Sequence, residues 1–113
     1  MAVEYDREFL TGTVTVLILN LLAERERYGY EILQEASRRS DGAFALKEGT
    51  LYPALHQMAR AGLLASTWRE SDAGRPRKYY RLTAKGRRVA RAKTDQWTSL
   101  SRAMHAILGG RHG

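Results

Sequence analysis

The sequence predicts a mainly α-helical chain with one small antiparallel β-hairpin, arranged as a winged helix-turn-helix with a long C-terminal helix. Three observations carry that prediction. Lys47 to Leu82 reads in order as an amphipathic helix, a strand, a polar turn and a second strand. A shorter amphipathic segment, Tyr28 to Arg39, precedes it and completes a helix-turn-helix pair. After Thr83 the apolar residues follow a helical period nearly to the end of the chain.

Met1 to Glu8 is polar, carries Glu4, Asp6, Arg7 and Glu8, and is not a signal peptide. It reads as an arm or a lead-in to the first helix. From Phe9 to Ala23, Leu10, Val14, Leu17, Ile18, Leu21 and Leu22 follow helical spacing. Thr11, Thr13, Thr15 and Val16 favour a strand by propensity. The period and the length of the run decide for helix. The run is too short to span a bilayer. Its apolar character on more than one side suits core on one face and a partner subunit on another.

Glu24 to Arg27 reads as a charged turn. The second helix places Ile32, Leu33 and Ala36 inward, with Gly29 allowing close packing. Ser40-Asp41-Gly42 ends it, and Phe44 to Leu46 reads as a short extended piece that adds to the hairpin. The next helix is expected to begin near Gly49 or Thr50, with Thr50 as cap and Pro53 in the first turn. Leu51, Leu55, Met58 and Ala59 form its buried stripe. Thr50, Tyr52, Pro53, His56, Gln57 and Arg60 are left to the other side or its edges. Gly62 stops this helix. Leu64 to Arg69 and Lys78 to Leu82 have strand character, and the turn between them holds Gly74, Arg75, Pro76, Arg77 and Lys78. Thr83 caps the last helix, carried from Ala84 to about Leu108. There Ala90, Lys93, Trp97, Leu100, Met104 and Ile107 trace a coiled-coil-like stripe. A frayed tail is expected from Gly109 to Gly113.

A chain of 113 residues is a single domain, short on buried surface and suited to pairing with a second copy. Within it, residues 1–83 are expected to form the winged helix-turn-helix, a unit suited to DNA binding, and residues 84–113 a dimerisation helix and a short tail. The absence of cysteine excludes disulfides and suits a reducing cytoplasm. A net charge of +7 points to a polyanionic partner. Residues 1–40 hold 5 Lys/Arg against 7 Asp/Glu, residues 41–82 hold 7 against 4, and residues 83–113 hold 7 against 1. The first third is therefore not the main phosphate-facing surface.

The strings G-Y-E-I, G-T-L-Y-P-A-L, A-G-L-L and G-R-P-R-K-Y-Y-R-L-T-A-K-G stand in this order between Gly29 and Gly86. Their combination and spacing resemble the PadR family of bacterial transcriptional regulators, over roughly Phe9 to Leu108. Lys47-Glu48 departs from the pattern, since such proteins often carry a small residue and a proline before the glycine. The resemblance implies a DNA-binding regulator with Thr50 and Tyr52 at the groove-facing helix end. It also implies a homodimer formed through the last and first helices, with flat aromatic compounds accepted between the subunits of some members.

The helix face of Tyr52, His56, Gln57 and Arg60 suits base edges, because arginine and glutamine fit guanine and adenine respectively. The alternative is a solvated helix face. Arg75, Arg77 and Lys78 around Gly74 and Pro76 suit phosphates, against the alternative of a solubilising hairpin tip. Trp97 is either an interface anchor or a platform for a planar aromatic ligand, with Val14, Ile18, Leu100 and Met104 as lining. His56, His105 and His112 have no metal-like spacing, and no catalytic grouping or phosphate loop is present. No cofactor or membrane partner is expected. The expected function is a sequence-specific regulator, most simply a repressor, that binds an imperfect palindrome in double-stranded DNA. A non-specific architectural DNA-binding protein and a winged-helix protein-interaction module are the alternatives.

Overall fold

The computed structural model describes residues 12–109. The order is α1 (Thr13–Glu24), β1 (Arg27–Tyr28), α2 (Gly29–Arg39), α3 (Glu48–Arg60), β2 (Leu64–Glu70), β3 (Pro76–Leu82) and α4 (Ala84–Gly109). This is the winged helix-turn-helix with a long last helix. The N-terminal arm, the expected helix start at Phe9 and the tail from Gly110 lie outside the described residues.

In α1 the helical period prevails over β propensity, because Val14, Ile18, Leu19, Leu21 and Leu22 all reach the core. Gly12, at φ 86°, precedes its first turn. The core they enter also holds Ile32 from α2, Leu51, Leu55 and Met58 from α3, Leu64, Tyr80 and Leu82 from the sheet, and Ala90 from α4.

The sheet has three strands in the order β1-β3-β2, all antiparallel. Its third strand corrects an expectation. Phe44 to Leu46 does not join the hairpin; Arg27 and Tyr28 do, opposite Tyr80 and Tyr79. The supposed charged turn thus contributes a strand, and Arg27 is only 4% exposed. A buried guanidinium is tolerated when its donors are satisfied. Arg27 Nε donates to the Leu21 carbonyl at 3.1 Å and its terminal nitrogen to Glu24 at 2.9 Å.

Helix α3 starts earlier than expected. Lys47 is its N-cap, and the Thr50 and Leu51 N–H groups both reach the Lys47 carbonyl at 3.0 Å. Thr50 is therefore inside the first turn and does not cap. Pro53 falls in the second turn. Glu48 suits the new first turn because its charge complements the helix dipole. The helix ends as expected: Gly62 adopts φ 80°, with Gly62 N–H donating to Ala59 and Leu63 N–H to Met58, both at 3.0 Å. These two bonds make a Schellman cap.

Strand β3 also starts earlier than expected, so Pro76 and Arg77 belong to the strand and not to the turn. A proline fits the first residue of a strand, where no ladder N–H is needed. The tip is Ser71 to Arg75, closed by Ser71 N–H to the Arg75 carbonyl and by Gly74 N–H to the Ser71 carbonyl. Gly74 supplies the φ of 81° that this turn needs.

Thr83 caps α4, accepting from the Gly86 N–H at 3.0 Å. At 1.5 Å per residue the helix is about 39 Å long, and the described chain measures 60 × 33 × 23 Å. Its first half packs on α1, where Asn20 Nδ2 donates to Thr94 Oγ1 at 2.9 Å. Its second half extends past the core.

Candidate nucleic-acid interface

Helix α3 turns Leu51, Leu55 and Met58 into the core. The 3.6-residue period then leaves Thr50, Pro53, His56, Gln57 and Arg60 exposed together on the opposite face. Tyr52 does not share that exposure. It is half-buried against α2, and a Cβ built on Gly29 would lie 2.5 Å from its hydroxyl. Burial first, then the Glu48 carboxylate, pushes the Tyr52 phenol above its ordinary value. Tyr52 is thus held as the spacer between the two helices of the motif, and Gly29 is the residue that admits it.

The three wing cations are brought to three different places. Arg75 is exposed at the tip, where its N–H donates to Ser71 Oγ at 3.3 Å. Strand alternation sends Arg77 and Lys78 to opposite faces of the sheet. Lys78 lies on the face that carries the core, its Nζ 5.6 Å from the Tyr80 ring and 5.9 Å from the Trp68 ring. Arg77 lies on the outer face, its guanidinium 4.5 Å from the centre of the Tyr28 ring.

Around Arg77, that outer face is built from residues the sequence did not single out. Tyr28 meets Tyr79 edge-on, with ring centres 5.3 Å apart. Arg69 lies 4.9 Å over Tyr79 and pairs with Glu26. Arg81 donates to Thr67 Oγ1 at 3.2 Å. Arg69 stands opposite Arg77 across the hairpin, a pairing that only the register reveals. No sequence signal existed for Tyr28, whose strand is two residues long.

The C-terminal end of α3 is fastened to the start of α4. The Thr83 hydroxyl donates to the Gly62 carbonyl at 2.6 Å, and the Thr83 N–H to the Leu63 carbonyl at 3.0 Å. Lys85 Nζ donates to the Ala61 carbonyl at 2.9 Å. Gly86 packs directly against Leu63. The A-G-L-L and L-T-A-K-G strings are therefore two halves of one junction.

At the far side of the domain the arginines are already engaged. Glu24 accepts from Arg39 at 2.5 Å and from Arg27 at 2.9 Å, and Glu35 accepts from Arg38 and Arg39 at 2.8 Å. Hydrogen bonding from Arg39, reinforced by Arg27, holds the Glu24 carboxyl down to about 2. Hydrogen bonds from Arg38 and then Arg39 do the same to Glu35, also to about 2. The network consumes positive charge locally, in keeping with the acidic balance of residues 1–40.

The second half of α4 presents Trp97 (45% exposed), Leu100, Met104, Ile107 and Leu108 to the surface. Trp97 lines a shallow groove along this helix with Ser101, Arg102 and His105. Val14 and Ile18, expected to line the same site, lie instead in the core of the single chain, and Ile18 is wholly buried. Both belong to the core that α1 shares with α2, α3, the sheet and Ala90 of α4.

A family model described as the transcriptional regulator PadR-like family matches residues 18–92. A transcriptional regulator of Mycobacterium tuberculosis is 38% identical over 105 residues, covering 93% of this chain and 92% of that protein. The solved structure of a transcriptional regulator from Clostridium thermocellum is 29% identical, with a TM-score of 0.79 over 90% of this chain and 96% of that one. A PadR-like transcriptional regulator from Bacillus cereus is 30% identical, with a TM-score of 0.78 over 89% of this chain and 96% of its own.

Proposed function

The chain belongs to the PadR-like family of transcriptional regulators, and on that premise we propose that it is a homodimeric, sequence-specific DNA-binding repressor. The observation that carries this reading is the exposed α3 face of Thr50, Pro53, His56, Gln57 and Arg60 beside an arginine-bearing wing. Gln57 and Arg60 read base edges in the major groove, and Arg75 and Arg77 hold phosphates. Repression follows from occupying a promoter.

The dimer reading rests on α4. Five large apolar side chains in its second half lie exposed on a helix that extends past its own core. A second copy related by a two-fold axis covers them. The operator is then an imperfect palindrome whose half-sites lie about 10 bp apart or a multiple of that. Exposed Trp97 rings facing each other across the axis make a slot for a planar aromatic compound, with Leu100 and Met104 as walls. A compound that prefers one dimer geometry shifts the spacing of the two α3 helices through the α3–α4 junction.

Sequencing genomic fragments retained by the purified protein tests the function. A shared palindromic motif in promoter regions, the protein's own upstream region first among them, is the expected result. Fragments sharing no motif leave a non-specific architectural role instead.

A further inference from the structure

We propose that Tyr28 is a positioning residue for DNA binding, holding the Arg77 guanidinium on the outer face of the wing sheet so that its N–H edges are preset for a backbone phosphate. The inference rests on the DNA-binding reading of the wing and adds to it a residue remote in sequence from the hairpin.

The geometry singles out Arg77 among the cations of this sheet. Arg69 also sits over a ring, but Glu26 neutralises it. Arg81 is turned to Thr67. Lys78 faces the other side of the sheet, toward Trp68 and Tyr80. Among the described residues no carboxylate pairs with Arg77. Among the described residues its one partner is the Tyr28 ring, 4.5 Å away. A guanidinium held over a ring meets no competing acceptor there, and its N–H donors match the oxygens of a phosphate.

The platform is itself held in place. Tyr28 pairs with Tyr79 across the ladder and meets its ring edge-on. The Tyr28 N–H donates to Glu31 Oε1 at 3.2 Å, which fixes the residue at the start of α2. An arginine ordered before binding does not have to be ordered by the DNA, and that saving appears as affinity. Rings supply the order without supplying a competing charge. A carboxylate in the same place would order Arg77 equally well and cancel it.

The test is a double-mutant cycle on Tyr28 and Arg77, using the full chain and a promoter fragment that it retains, titrated at several salt concentrations. Arg77→Ala lowers affinity and reduces the slope of log affinity against log salt by about 0.9, one phosphate contact. Tyr28→Leu leaves the charge and the slope but lowers affinity about two- to tenfold, the cost of ordering one long side chain on binding. Tyr28→Phe restores the stack and the affinity. In the Arg77→Ala background Tyr28→Leu causes no further loss, which separates positioning from a general weakening of the fold. An equal loss from Tyr28→Leu with and without Arg77 overturns the inference, as does a failure of Tyr28→Phe to restore binding. If Arg77→Ala itself leaves affinity and slope unchanged, the wing does not bind phosphate through this residue and the inference falls with that part of the docking. Absence of any DNA binding by the unaltered chain overturns the functional reading as a whole.

Discussion

Gly86 packs so closely against Leu63 that a Cβ added to it would overlap the Leu63 carbonyl oxygen. That contact, with the Thr83 and Lys85 bonds to Gly62 and Ala61, joins α3 to the long helix α4. Gly86→Ala therefore pries the junction open. It is expected to destabilise the chain by ~1–3 kcal/mol, as overpacking does. Thr83→Ala removes the cap and costs about 1 kcal/mol. Denaturant unfolding measures both, and a Gly86→Ala variant as stable as the parent contradicts the packing described.

Acid weakens the fold through Glu24 and Glu35. Both carboxyls are held at about 2 from an ordinary value of 4.5. A depressed folded-state value means that the stabilisation is fully present above about pH 4.5 and is lost as pH falls toward 2. Protonating Glu24 also strips the buried Arg27 of its carboxylate partner. Denaturation midpoints measured across that window are expected to fall. A Glu24→Gln, Glu35→Gln double variant starts lower at neutral pH and falls less.

Wing and helix substitutions are expected to differ in kind. Arg75→Ala at the exposed tip weakens binding to all DNA alike and flattens the salt dependence by up to about one unit of slope. Gln57→Ala or Arg60→Ala instead narrows the gap between operator and random DNA, by ~1–3 kcal/mol for a good base contact. Binding isotherms on both DNAs at several salt concentrations separate the two effects.

Charges placed on the exposed α4 stripe are expected to disrupt the proposed pairing with a second copy. Leu100→Glu with Met104→Glu is expected to give a folded monomer by light scattering at micromolar concentration. A dimer that survives both changes moves the interface away from this stripe.

Much of this fold was legible because period and punctuation agreed. Leu51, Leu55 and Met58 mark the inner face of α3, Gly62 marks its end, and Thr83 marks the start of α4. What the sequence hid was tertiary. A two-residue strand at Arg27 and Tyr28 has no period to detect, whereas Phe44 to Leu46 has the extended pattern of a strand and forms none. Arg27 reads as a solvated turn residue until the Leu21 carbonyl and Glu24 are seen around it. Tyr52 shares the outward half of a helical wheel with His56, yet a missing Cβ at Gly29 draws it against α2. The wing cations were a cluster in sequence and are dispersed in space, because adjacent strand residues face opposite ways.

The central claim is that the exposed face of α3 reads sequence and not only charge. Its most direct test compares affinity for the protein's own upstream region with affinity for random DNA of equal length at matched salt. Sequence-specific regulation predicts a preference of about 10³-fold or more, abolished by changing Gln57 and Arg60 together. Equal affinity for the two DNAs would contradict it.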